Sequence, residues 1–236
     1  MVKSSFRVPL AGNFIIAILF SLSLPAIAFA QATDTVLTIT EASINDLPAK
    51  PFRMPSLQDV GGNPFFNSEY RQGSVELGQG RIVNNVPLKF NTFNNAMMVI
   101  KDGKELKLEF FELASFDEND YDGQKKHYVF KAGYPEIDGH NENAIYQVLS
   151  MGPRVHLLKF ISQKVEDVPT LGDYSRREIV TTEQFYVYVP GGEIKKIKSL
   201  KSGKQSLQEA LPALSAKIDE ISVQKKLKLR SESDIS

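Results

Sequence analysis

The chain contains no cysteine and no tryptophan. Without a thiol there is no disulfide, no thiolate metal site, no cysteine nucleophile and no lipid attached through cysteine. Without Trp, a sugar-stacking platform has to come from Tyr or Phe. An excess of either charge is missing too, since 28 Lys and Arg face 28 Asp and Glu. That balance gives no electrostatic reason to expect nucleic acid as a partner. Beyond the first thirty residues there is no long apolar run, so no transmembrane segment is expected in the remaining chain. What is present is an ordinary apolar share, 42% of 236 residues. That share excludes wholesale disorder. A chain of this size can form a core that buries about 70% of its unfolded surface.

The first thirty residues read as a targeting segment. Lys3 and Arg7 form a short basic start, an apolar run follows from Phe14 to Leu24, and Pro25 breaks it. Ala28-Phe29-Ala30 then supplies a small-x-small cleavage site, which completes a secretory signal peptide over residues 1–30. The run is shorter than the roughly 20 apolar residues of a membrane-spanning helix. The exported chain would begin at Gln31. Its charge is unevenly placed: residues 31–192 hold 16 Lys and Arg against 22 Asp and Glu, and residues 193–230 hold 10 against 4.

Three further segments follow. Residues 31–59 are expected to form an N-terminal arm or linker. Pro48, Pro51, Pro55 and nearby Pro64 disfavour helix and central strand there, while Val36 to Thr40 reads as one strand. Residues 60–200 read as strands and turns. Asp102-Gly103 favours the positive φ angles of a two-residue hairpin, and Leu106, Leu108 and Phe110 then alternate with Glu105, Lys107 and Glu109. Tyr128, Phe130 and Ala132 share a face, as do Phe185, Val187 and Val189 against Tyr186 and Tyr188. Met151-Gly152-Pro153-Arg154 reads as another hairpin turn, and Pro87 implies an edge or a bulge near Asn84-Asn85. Nine or ten short strands without crossover helices predict a mainly β fold: an antiparallel β-sandwich or open barrel with a C-terminal helical segment. Residues 201–236 change period. Leu207, Leu211, Leu214, Ile218 and Ile221 form one helical stripe that Pro212 interrupts. Two short helices are expected, about 204–211 and 212–224, packed on the β domain and trailed by a basic tail.

Chemistry-bearing motifs are scarce. There is no Gly-x-Ser-x-Gly elbow and no phosphate loop, and Gly78-Gln79-Gly80 reads as a turn. His127, His140 and His156 are scattered. Only Asp138-Gly139-His140-Asn141-Glu142 gathers ligand types, and it reads as a polar turn rather than a metal site. The acidic loop 117–123 mimics half of an EF-hand loop through Glu118, Asp120, Asp122 and Gly123, but Val129 stands where a bidentate Glu is needed. Asn63-Pro64-Phe65-Phe66 with Tyr70 reads as core in preference to a docking patch. The Lys195 to Lys204 run reads as a solvated face in preference to a lipid contact. No catalytic, cofactor-binding or metal-binding residue is assigned, and no cofactor is expected.

Several segments in order carry a resemblance: Gly62 to Phe66, Gly73 to Val75, Val86 to Asn94, Ile145 to Leu149, Leu157 to Lys159, Phe185 to Val187 and the tail from Leu207 to Leu229. Together the chain resembles a family of small exported Bacteroidota proteins of unestablished function. It departs from that family at Ala96, where an acidic residue is usual. The resemblance implies a cell-envelope location, in the periplasm or at the outer-membrane surface, and supplies no catalytic residues. The expected function is a non-enzymatic interaction or accessory module with an envelope protein partner. The alternative is a ligand-binding or hydrolytic domain acting on envelope glycan or lipid. The oligomeric state is left open.

Overall fold

The computed structural model describes residues 39–119, 123–168, 176–199, 201–225, 229 and 231. The expected signal peptide, Val36 to Thr38 of the expected arm strand and Asp120 to Asp122 of the acidic loop lie outside them. Among the described residues the chain is mainly β, one large and mostly antiparallel sheet with two C-terminal helices. Its strands are β1 (Thr40–Glu41), β2 (Ala49–Pro51), β3 (Val60–Gly61), β4 (Arg71–Glu76), β5 (Arg81–Asn91), β6 (Ala96–Lys101) and β7 (Lys104–Leu108). They continue as β8 (Leu113–Asn119), β9 (Lys125–Lys131), β10 (Tyr146–Met151), β11 (His156–Asp167), β12 (Arg177–Tyr188) and β13 (Ile194–Ile197). Across the sheet the order is β13-β12-β11-β10-β9-β8-β4-β5-β6-β7-β2, with β1 on β5 and β3 on β12. The path has two ends, so it is an open sheet.

Turn chemistry sets the hairpins. Asp102 and Gly103 stand at φ 52° and 70°, and Lys101 pairs with Lys104 across the two-residue turn. Gly78, Gln79 and Gly80 all have positive φ and join β4 to β5, as a turn. In β5 a bulge absorbs one residue. Gly73 pairs with Val86 but Val75 pairs with Val83, which leaves Asn84 and Asn85 as the insertion, with Asn85 at φ 56°. Pro87 lies where β5 has a single paired neighbour, because β1 pairs only as far as Ile82 and β6 pairs only from Leu88 onward. Its missing N–H therefore removes no ladder bond on the open side.

The described arm residues 39–59 and the Val60–Gly61 strand after them join the sheet at three places. β1 runs parallel to β5, Leu47 is buried among the strands' apolar side chains, and β2 pairs with β7. β3 then pairs with β12, near the far end of the strand order. Between Pro51 and Val60 the chain reaches about 30 Å at ~3.4 Å per residue. A flat sheet would separate those strands by roughly 48 Å at ~4.8 Å per strand. The sheet is therefore strongly curled.

The core follows from register. One row of directly paired residues runs Val75, Ala114, Phe130, Gln147, Lys159, Phe185, Ile197. At one end of this face Val75, Ala114 and Phe130 belong to a cluster with Leu88, Phe90, Val99 and Phe116. At the other, Phe185 and Ile197 pack with Leu157, Val187 and the helix residues Leu207 and Ala210. The opposite face carries Tyr146, Leu158, Phe160, Tyr186 and Ile194. The alternation expected in β12 is thus realised, with Phe185 and Val187 under the helix and Tyr186 on the other side. Phe110 departs from its expected alternation. β7 ends at Leu108, the chain turns, and Phe111 is buried while Phe110 is 57% exposed.

The tail forms helices α1 (Gly203–Ala210) and α2 (Ser215–Gln224), joined by a 3₁₀ turn at Pro212–Leu214. Pro212 occupies the first position of that turn, where its missing N–H costs nothing. Only α1 buries apolar side chains fully, and Leu229 is buried against the same cluster. No helix among the described residues is long and apolar enough to cross a membrane.

Candidate functional site

Three polar constellations stand out. The first is a groove. The end of β7, the turn 109–112, the end of β9 and the loop 132–145 enclose a cavity of about 550 Å³. A second hollow of about 500 Å³ shares Gly133, Glu142 and Asn143 with it as lining. Leu108, Phe111, Ala132 and Ile145 supply apolar lining, and exposed Phe110 also lines the first cavity. Lys107 and Lys131 bring positive charge, and Glu109, Glu112 and Glu142 bring negative charge. Glu109 is tied to Lys50 at 2.6 Å. Lys131 Nζ donates to the Glu112 carbonyl oxygen at 3.4 Å, and Lys107 Nζ lies 5.9 Å from the Phe52 ring centre. Asn95 fixes the groove's floor, because its side chain accepts from the Ile145 N–H at 2.7 Å and donates to the Ile145 carbonyl at 2.9 Å.

The second constellation is aromatic. The turn at Asp138 and Gly139, with φ of 53° and 78°, folds His140 onto Phe160, ring centres 3.7 Å apart. This is the polar turn expected at 138–142. Its side chains are closed on themselves. Asp138 Oδ2 accepts from Tyr186 Oη at 2.9 Å and from Lys196 Nζ at 2.8 Å. His140 Nδ1 lies 3.3 Å from Tyr146 Oη, and His156 Nδ1 lies 3.1 Å from Tyr134 Oη. The Lys196 ammonium, then the Tyr186 hydroxyl, hold the Asp138 carboxyl below its usual range. Burial lowers His140 and His156, and it pushes Tyr146 up to about 12. Groups held this way are built to stay in one protonation state near neutral pH.

The third lies on β8 and β9. Asp117 Oδ1 meets His127 Nδ1 at 2.7 Å, and Asp117 Oδ2 pairs with Lys125 at 2.8 Å. Ser115 is two residues from Asp117 on the same face and lies 3.0 Å from Ser74, oxygen to oxygen. An imidazole held through Nδ1 is the arrangement that general-base chemistry uses. Here the Asp and His side chains are 40% and 60% exposed, so water screens them.

Other expected features fall as follows. In the acidic loop Glu118 is bound by Arg71 at 2.8 Å and Asp117 by Lys125 and His127, while Asp120 and Asp122 lie outside the described residues. Phe66 packs edge-on against Tyr128 and Phe130, and Phe65 lies beneath Lys89 Nζ at 4.0 Å. The lysine run is largely paired: Lys195 with Glu193, Lys196 with Asp138, Lys198 with Glu209 and Lys204 with Asp219. Among the described residues no group of three or more His, Asp or Glu is placed to hold a metal ion. The groove was missed in the sequence because its walls come from four separated segments. The signal that could have found it is the adjacent pair Phe110-Phe111, since two neighbouring aromatics cannot both follow a period of two. Compared with protein-family models, curated proteins and solved structures, the chain matches none.

Proposed function

We propose that the protein is exported to the cell envelope and works there as a non-enzymatic interaction module, with the groove beside Phe110 as its contact surface. The signal-peptide pattern of residues 1–30 supports export. The observation that carries the interaction reading is the state of the charges. Lys107, Lys131, Glu112 and Glu142 all line the groove, and none of them is in an ion pair among the described residues. Charge outside ion pairs next to an exposed ring in a cavity suits recognition. The alternative hydrolytic reading would rest on Asp117, His127 and Ser115, whose exposure makes them the poorer site.

The test is in-cell cross-linking of the full-length protein followed by envelope fractionation and mass spectrometry. The expected result is a chain beginning at Gln31 in the envelope fraction and one stoichiometric partner. That partner is lost in a Lys131→Met, Glu142→Gln double variant. A cytoplasmic, uncleaved protein overturns the export reading, and capture indifferent to the double variant overturns the groove.

A further inference from the structure

We propose that the groove binds a short peptide with both termini free, its ammonium held by Glu142 and its carboxylate by Lys131. The proposal rests on the reading of the groove as the contact surface and names the chemistry that surface takes.

Opposite charges that line one cavity attract each other, and at Arg71–Glu118, Lys196–Asp138 and Lys204–Asp219 such neighbours close to ion-pair distance. Here Lys131 and Glu142 line the same cavity and neither makes an ion pair. Glu112 and Lys107 are in the same condition, with Lys107 over the Phe52 ring and the Glu112 side chain leaning over Gly78. The backbone holds the two main walls in place. Gly133 N–H donates to the Glu142 carbonyl at 2.8 Å, and Lys131 lies in the ladder between Leu113 and Tyr146. Lys131 and Glu142 thus line one cavity from backbone positions that the ladder and the loop hold, with no ion pair between them.

A ligand entering that space removes water from groups of both signs. Covering a charge without replacing its partner is costly. A neutral saccharide brings hydroxyl hydrogen bonds but no opposite charge to the four groups, and an aliphatic lipid chain brings neither. A nucleic acid strand would set phosphates against Glu112 and Glu142. A molecule carrying one ammonium and one carboxylate answers both signs at once, which is electrostatic complementarity in its smallest form. The cavity volume of about 550 Å³ is that of a small-molecule site, and Phe110 offers a ring to an apolar side chain between the termini. A free-ended peptide of a few residues carries an ammonium, a carboxylate and an apolar side chain together, which answers Glu142, Lys131 and Phe110.

The experiment is a calorimetric titration of the purified protein with the tripeptide Ala-Phe-Ala. It is repeated with the N-acetylated form, the C-amidated form and chitotriose. The free tripeptide is expected to bind, and either cap to weaken it about tenfold or more, the scale of one lost charge contact. Lys131→Met is expected to bind the free and the amidated peptide alike, and Glu142→Gln to bind the free and the acetylated peptide alike. Glu142→Gln should leave the melting temperature unchanged, and Lys131→Met should lower it by no more than the loss of its long hydrogen bond to the Glu112 carbonyl. Equal binding of capped and free peptide overturns the proposal. So does saturable binding of chitotriose alone, or no binding of the free peptide at about 10 mM. Failure here is separable from failure of the underlying reading. A partner still lost in the double variant keeps the groove as the contact surface and removes only the peptide.

Discussion

A Cβ added to Gly73 would lie 2.1 Å from the Ser115 carbonyl oxygen and 2.8 Å from Leu88 Cδ1. The strands β4 and β8 approach so closely there that backbone, which yields little, is what a methyl group would meet. Gly73→Ala is expected to cost about 2 kcal/mol or more, the range of overpacking in a filled core. Gly103 is the opposite case. Nothing lies within 4 Å of its ideal Cβ, but its φ is 70°. Gly103→Val should therefore lose only the left-handed backbone penalty, about 1–2 kcal/mol. Urea midpoints of the two variants check both. A Gly103→Val loss exceeding that of Gly73→Ala would invert the assignment of space and strain. Asn67 is a quieter residue of the same importance. It is buried, accepts from the Phe90 N–H at 3.1 Å and donates to the Glu69 carbonyl at 2.6 Å. It thereby satisfies backbone groups at the edge of β5 that the ladder leaves over.

Among the elements, the two helices share one apolar stripe but not one role. Leu207 is 9% exposed in the cluster with Phe185 and Val187, whereas Leu214 is half-buried outside it. Leu207→Ala is expected to cost about 2–3 kcal/mol and Leu214→Ala well under half of that, read from denaturant unfolding. The loop 132–145 responds to acid. Burial lowers His140 and His156, so the fold favours their neutral forms. The unfolded chain takes up protons first, near the ordinary value of about 6.5. Stability is full above that pH and falls as pH drops toward the folded-state values. Asp138 is lowered too, so its contribution is present above the usual carboxylate range and is lost as pH falls through its own depressed value. Melting temperatures should decline in two steps, and His140→Asn should flatten the upper one. An unchanged upper step in that variant would remove His140 from the account. These elements differ in how far the sequence shows them. The Asp102-Gly103 hairpin, the β12 alternation and the Pro212 break rest on local backbone preference, and they are legible. The joining of β2 to β7 and of β3 to β12 is not, because two- and three-residue strands carry no period. The groove is hidden for the same reason, since Lys107, Glu112, Lys131 and Glu142 meet only after β7, β8, β9 and the following loop are in place.

On the scale of the molecule, the sheet reads as one body with a polar seam. Gln147 and Lys159 face each other in the row that links the two clusters of one face, between Phe130 and Phe185. Both are buried, Lys159 with Glu183 at 3.5 Å and Gln147 with its Oε1 unpartnered among the described residues. Hydrogen-bonded strands run unbroken across the seam, and Asn95 ties β6's turn to Ile145 beside it. Unfolding followed by far-ultraviolet dichroism and by tyrosine emission should therefore give coincident curves, as a single cooperative unit requires. Two separated transitions would mean that the clusters unfold independently. The seam also makes a sharper forecast. A buried amide oxygen without a donor carries a desolvation penalty of about 1–3 kcal/mol. Gln147→Met keeps nearly the same length, removes that oxygen and lets the apolar row run on toward Phe185. The variant should gain about 1 kcal/mol of stability, seen as a higher urea midpoint at unchanged slope. A lower midpoint would show that the amide is satisfied in the folded protein, and the seam would then hold the two clusters together through the polar pair.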